Sequence, residues 1–161
     1  GVFITESAVA MGLTEASAGL VLAVGSVAGI IARVLAGVEA DRRGGTQFKL
    51  IATMLGAGGL AILLGATGNT LLLVLGTIGA FTGGWAWTGI FFLSLVRTNP
   101  SAPGAAAGLG TASLGLGNAA GPLMFGLVAQ AASFSIAWLT AGAVAGTAAV
   151  MMNWSRRRLE G

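Results

Sequence analysis

The sequence predicts an all-α membrane protein, a bundle of five full transmembrane helices preceded by a helix tail. Three observations carry that prediction. Only 8% of the 161 residues are charged, against about 25% in soluble domains. The few charges fall in short polar stretches that separate long apolar ones. Mean hydropathy is +0.90. A soluble chain of this length needs far more charge to cover its surface, so lipid is the expected surroundings.

The same composition excludes several functions. The net charge of +3 comes from eight basic and five acidic residues, without the aromatic-basic interleaving of a single-strand binder, so no nucleic acid is expected as partner. Cysteine and histidine are absent. That removes thiol chemistry, the commonest general base and the commonest metal ligand. No Walker loop is present, so ATP-driven work has no support. No Ser/His pair or intramembrane carboxylate pair exists, so intramembrane proteolysis has none either. The expectation is a non-enzyme with no catalytic residue, no metal and no cofactor.

The elements follow in order. The chain starts Gly1-Val2-Phe3 without a basic n-region, so no signal peptide is expected. Residues 1–5 read as the tail of a helix already under way, and the chain as a fragment that has lost its beginning. A loop is expected between Glu6 and Glu15. Thr14 is the candidate N-cap and Glu15 suits the positive end of the next helix. The first full span is expected over 16–38, interrupted by Arg33 alone. From Leu50 to Val96 no charge occurs, a length too great for one span. Gly68-Asn69-Thr70 is the turn-like cluster near its middle, which gives spans at 50–67 and 71–96. Arg97 to Gly104 is a breaker-rich loop. The uncharged stretch after it divides at Gln130–Ser133 into spans at 104–130 and 134–154. Trp138 and Trp154 are expected to bracket the last span as interfacial anchors.

Between the first two spans lies Gly37-Val38-Glu39-Ala40-Asp41-Arg42-Arg43-Gly44-Gly45, expected as a polar loop where the chain turns in water. With alternating crossings, Arg33, Arg42, Arg43, Lys49, Arg97, Arg156, Arg157 and Arg158 all fall on one side. The other side has Glu6 and Glu15. This is the positive-inside bias. It predicts a multi-pass protein of the plasma (inner) membrane with the central loop and the C-terminus in the cytoplasm.

Close approach through small residues matters in lipid, because apolar contact between helices brings no hydrophobic gain there. Glycine is 28 of the 161 residues. Gly25/Gly29, Gly79/Gly83, Gly104/Gly108, Gly117/Gly121 and Gly142/Gly146 have GxxxG spacing, which reads as general bundle packing.

Gly37-x-x-x-Asp41-Arg42-x-Gly44 resembles the signature loop of the major facilitator superfamily of secondary transporters. In that family it joins the second and third helices, and a degenerate copy joins the eighth and ninth. The family usually has two more bases after the last glycine. Gly45 and Thr46 stand in those places here, and the next base is Lys49, which favours the second-half copy. Gly115-x-Gly117-Asn118-x-x-Gly121-Pro122-x-x-x-Gly126 resembles the glycine-proline stretch of the eleventh helix. Gly84-Trp85-Ala86-Trp87, followed by Arg97-x-Asn99-Pro100, resembles the tenth helix and its exit. The basic tail resembles the family C-terminus. The resemblance implies a C-terminal six-helix domain running from the end of the seventh helix through the twelfth.

Candidate site residues divide into three groups. Asp41 caps a neighbouring helix N-terminus, as a latch between transporter halves, or is a solvated carboxylate paired with Arg42 or Arg43. Arg33 snorkels to headgroups or pairs with Asp41 or Glu39. Thr77, Phe81, Trp85, Thr88 and Phe92 recur at i, i+4, i+8, i+11 and i+15, one helix face. That face either lines a substrate cavity or packs against neighbours. Asn118, with Thr111 on the same face, makes an interhelical bond or faces the cavity. Gly117, Gly121 and Pro122 are packing and kink positions. No carboxylate lies deep in a span, so a proton relay, if there is one, lies in the missing half or uses Glu6. The expected function is transport of a small solute as part of a secondary carrier. Its expected partners are the lipid bilayer and the missing N-terminal half. The alternative is a non-transporting structural or assembly protein of the membrane.

Overall fold

The structure is a computed structural model that describes residues 2–44 and 47–160. Thr46 and Gly45, the two departures from the signature pattern, lie outside the described residues, as does Gly1. The elements are α1 (Val2–Ala10), α2 (Glu15–Arg43), α3 (Phe48–Leu63) continued by a 3₁₀ turn (Leu64–Thr67), α4 (Thr70–Gly79), a π-helical segment (Ala80–Trp85), α5 (Thr88–Thr98), α6 (Pro103–Ala131) and α7 (Phe134–Glu160). There is no strand among the described residues. Five stretches are long and apolar enough to cross a membrane: Glu15–Arg43, Phe48–Thr67, Thr70–Thr98, Pro103–Ala131 and Phe134–Arg158. Each contains one expected span and runs past it by one or more residues at one end or both.

The boundaries have local causes. Thr14 Oγ1 accepts the Ser17 N–H at 3.2 Å and starts α2. Gly68, at φ +69°, breaks the helical path after the 3₁₀ turn, in the left-handed region that glycine enters without penalty. Asn69 Oδ1 then accepts the Leu72 N–H at 3.1 Å and starts α4. Pro103 opens α6 at a position where its missing N–H costs nothing.

Two expected loops are helical instead. The polar stretch from Gly37 is the last two turns of α2, which ends at Arg43 with Gly44 at φ +63°. Charge there supports helix rather than breaking it. Glu39 accepts from Arg43 one turn on, at 2.6 Å, and Arg42 and Arg43 suit the negative end of the dipole. At 29 residues, α2 is about 43 Å long, more than the ~30 Å of hydrocarbon, so its charged end projects into water. Likewise the helix expected to end at residue 5 continues to Ala10, and the loop is confined to residues 11–14.

Helices meet mainly through glycine. A Cβ on Gly58 of α3 would collide with the backbone of Gly84. One on Gly83 would lie 2.8 Å from the Gly58 nitrogen. On its other side α3 presents Gly56 and Gly59 to Ala149 and Ala145 of α7. Gly25 and Gly29 of α2 form a notch filled by Phe81. Of the GxxxG pairs, Gly25/Gly29 and Gly79/Gly83 are therefore in close contact, and Gly142 rests on Leu63. A Cβ added to Gly104, Gly108, Gly117 or Gly121 would meet nothing beyond its own helix within 4 Å.

One end of the bundle gathers the bases. Ala40, Phe48, Ile51, Leu55 and Ile90 form a buried cluster with Met152 against it, which brings together the ends of α2, α3, α5 and α7. At the other end Ala8, Ala18 and Leu73 pack with Met11 and Leu13. Trp138 does not anchor outward as expected. Its Nε1–H donates to Ser7 Oγ at 3.1 Å, and its ring meets Phe125 edge-on at 4.8 Å. Large apolar side chains point outward elsewhere, among them Leu109, Leu116 and Val144, each more than 70% exposed.

Gly58→Ala is expected to lower the thermal unfolding midpoint in detergent, because the added methyl meets backbone and overpacking costs about 1–3 kcal/mol. Gly115→Ala, with no neighbour within 4 Å, is expected to leave the midpoint unchanged or raise it, since Ala is the better helix former. Equal loss in both variants would mean that close approach at Gly58 is not what holds α3.

Candidate functional site

The third span is not one continuous α-helix. Six residues, Ala80–Trp85, are wound as π-helix, a form that occurs mostly as single turns at functional sites. Side chains bond one carbonyl within it and one just before it. Trp87 Nε1–H donates to Gly84 O at 2.7 Å, and Thr82 Oγ1–H donates to Ile78 O at 2.9 Å. The extra residue changes the phase of everything after it, so the stripe expected on one face is divided.

Thr77 is 3% exposed, donates its hydroxyl to Leu73 O at 2.8 Å and turns its methyl to Gly25. Phe81 sits in the Gly25/Gly29 notch. These two belong to the seam between α2 and the third span. Trp85, by contrast, is 54% exposed, midway along that span. Thr88 is half-buried, with its hydroxyl 3.3 Å from Trp85 O. Phe92 packs toward Gly110 of α6 and against Phe91, with ring centroids 5.7 Å apart.

On α6, Thr111, Gly117, Asn118, Gly121 and Pro122 are all exposed. Thr111 returns its hydroxyl to Ala107 O at 2.9 Å. The described residues offer the Asn118 side chain no hydrogen bond. The helix is continuous across Pro122, although proline has no N–H to give to the Asn118 carbonyl. The most apolar 18-residue window of α6 has no buried residue.

Two cavities lie elsewhere among the described residues. A cavity of about 10 Å³, room for one water at most, lies between Ile4, Ala61, Gly65, Leu73, Thr77 and Trp138. An open crevice of about 600 Å³, at the end away from the bases, is lined by Thr5, Glu6, Val9, Ala10, Glu15 and Phe134. Neither is lined by Trp85, Thr88, Phe92, Thr111 or Asn118. No group of acidic residues among those described could hold a metal ion.

At the base-bearing end, Asp41 is 76% exposed along its side chain, with Oδ1 4.0 Å from Arg97 Nη2. Among the described residues it neither pairs with Arg42 or Arg43 nor caps a helix. Arg33 takes neither proposed partner, since Glu39 is held by Arg43 and Asp41 faces Arg97. Gly37 has no neighbour within 4 Å. The end of α2 and the start of α3 are joined by hydrogen bonds of two residues, Gln47 and Ser94, that sequence reasoning passed over. The Gln47 N–H donates to the buried Ser94 Oγ at 3.1 Å, and Gln47 Nε2 donates to Gly44 O. The single signal for Ser94 was a lone hydroxyl in an apolar run.

The family model described as the Major Facilitator Superfamily matches residues 1–160. The chain belongs to this superfamily. It is accordingly a facilitator-superfamily transporter chain and an integral, multi-pass membrane protein. No curated protein and no solved structure matches it. In this facilitator-superfamily chain the signature residues Gly37, Asp41, Arg42 and Gly44 form a helix end and its cap.

Ser94→Ala strips the buried Gln47 N–H of its acceptor, and an unmade buried hydrogen bond costs about 1–3 kcal/mol. The expected outcome is a lower unfolding midpoint together with faster amide exchange at Gln47. Unchanged exchange there would show that the start of α3 is held otherwise.

Proposed function

We propose that this chain acts as the second six-helix half of an alternating-access carrier for a small solute, pairing with a first half across the surface that carries Trp85, Thr88, Thr111 and Asn118. The observation that carries this reading is the exposed, unbonded Asn118 midway along α6. In hydrocarbon an unsatisfied amide is costly. A water-filled cavity between two halves, or a polar solute in it, meets that need. Trp85 lies midway along the neighbouring span and adds an amphipathic ring to the same cavity. Secondary carriers place their substrate site between two repeats and rock one against the other.

Asp41 serves as a latch in this scheme. Its carboxylate is only loosely held by Arg97 at 4.0 Å, and exposed pairs of this kind contribute about 0.2–1 kcal/mol. It is free to meet a helix N-terminus of the other half, where backbone N–H groups favour an anion. In a full-length carrier Asp41→Asn is expected to slow uptake at unchanged expression. Uptake equal to the parent's would return Asp41 to a solvated role.

The base-bearing end faces the cytoplasm, because seven of the eight bases lie at helix ends on that side, while Arg33 lies within the α2 span. Single cysteines at Asn69 and Arg158, treated with an impermeant label in intact cells, report the orientation. Label is expected at Asn69 and not at Arg158, and the reverse pattern would overturn it. Without a partner half, the chain in liposomes is expected to self-associate and to show no saturable flux. Saturable flux by this chain alone would mean that a homodimer forms the cavity.

A further inference from the structure

The base-bearing end has two corners of different character. At the corner between α2 and α5 both acidic side chains have basic neighbours. Glu39 is joined to Arg43 at 2.6 Å, and Asp41 faces Arg97 at 4.0 Å. At the corner between α3 and α7 the antiparallel register collects bases. Gly142 rests on Leu63, Gly59 meets Ala145 and Gly146, Gly56 meets Ala149, and Met152 packs on the Phe48 cluster. One further turn of α7 brings Arg156 level with Lys49 at the start of α3. Arg157 and Arg158 follow.

We propose that this end of α7 binds the headgroup of an anionic phospholipid, with Arg157 and Arg158 on the outer side of the helix at its phosphate and Lys49 at the α3/α7 seam adding positive potential. The geometry favours a lipid over a soluble anion. Lys49, Arg157 and Arg158 are exposed. Arg156 is steered by Asn153, whose Oδ1 accepts from its Nε and Nη2 at 3.3 Å each. The Arg158 guanidinium lies 3.7 Å above the ring of Trp154, and that ring is 54% exposed, suited to the depth where headgroups begin. Exposed Val150 and Met151, within two turns of Arg157, continue the surface with apolar side chains that acyl chains can follow. Guanidinium forks match phosphate oxygens in pairs. Gln47 gives α3 no side-chain cap, so the first N–H groups of α3 add positive potential beside Lys49. Basic clusters between helices at the cytoplasmic surface commonly hold anionic headgroups.

The test uses the whole chain extracted from membranes containing phosphatidylglycerol and phosphatidylcholine, with mass spectrometry of the lipid retained. The parent is expected to keep phosphatidylglycerol in preference. Arg157→Gln/Arg158→Gln is expected to reduce its retention roughly fivefold per base at low salt. Arg42→Gln/Arg43→Gln, which removes the same charge from the other corner, is expected to leave retention unchanged. Equal retention of the two lipids by the parent would overturn the proposal. So would equal loss in both double variants, which would mean diffuse attraction. Release of the lipid by millimolar inorganic phosphate would show a soluble-anion site and would also overturn it. Should the double variant fail to fold, Arg157→Gln alone, at an exposed position, carries the same readout at about fivefold.

Discussion

Helices surrounded by lipid gain nothing by hiding apolar surface from one another, so their association rests on how closely their backbones come together. Among the described glycines the closest approach to another backbone is Gly58 beneath Gly83 and Gly84. Gly56, Gly58 and Gly59 give α3 small surfaces on two sides within one turn. α3 thereby becomes the hub, with the π segment against one side and α7 against the other. A side chain at Gly58 holds these layers apart, and dispersion contact is lost along the whole seam.

From that hub the consequences run outward to the charged end. The π segment is seated on Gly58, α5 leaves it in a fixed direction, and Ser94 reaches the Gln47 N–H. Gln47 in turn holds the Gly44 carbonyl. The end of α2, with Asp41 and Arg42, is thus positioned by packing in the middle of the membrane. The signature residues supply charge, while residues without any supply its placement.

What the sequence made legible was what is decided locally. Hydropathy set the spans, and Thr14, Gly68 and Asn69 set their ends through caps and a left-handed turn. The polar stretch from Gly37 misled because charge was taken as a sign of loop, whereas an i, i+4 pair and the helix dipole keep it wound to Arg43. Gly58 escaped notice because its partners lie on another helix and it belongs to no GxxxG pair that was singled out. The aromatic stripe failed as a single face for the same reason. Helical periodicity assumes constant winding, and the extra residue at Ala80–Trp85 is decided by what that segment packs against. Trp138 shows the complement: an indole N–H near a helix start suited an interfacial anchor, but Ser7 offered it a bond inside the bundle.

The π segment also has an arithmetic consequence. A π turn takes one residue more than an α turn, so every position from Thr88 to Thr98 stands about 100° from where an unbroken α-helix would put it. What this span transmits is therefore a residue count as much as a residue identity. Removing any one residue between Ala80 and Trp85 leaves its hydropathy nearly the same and lets the segment wind as α-helix. Ser94 then stays in line with Gln47 and Phe92 with Gly110, because the lost residue and the lost π winding turn the chain by about 100° in opposite senses. What would turn Ser94 away from Gln47 is a substitution that lets all six residues wind as α-helix at unchanged length, and a one-residue deletion would undo it.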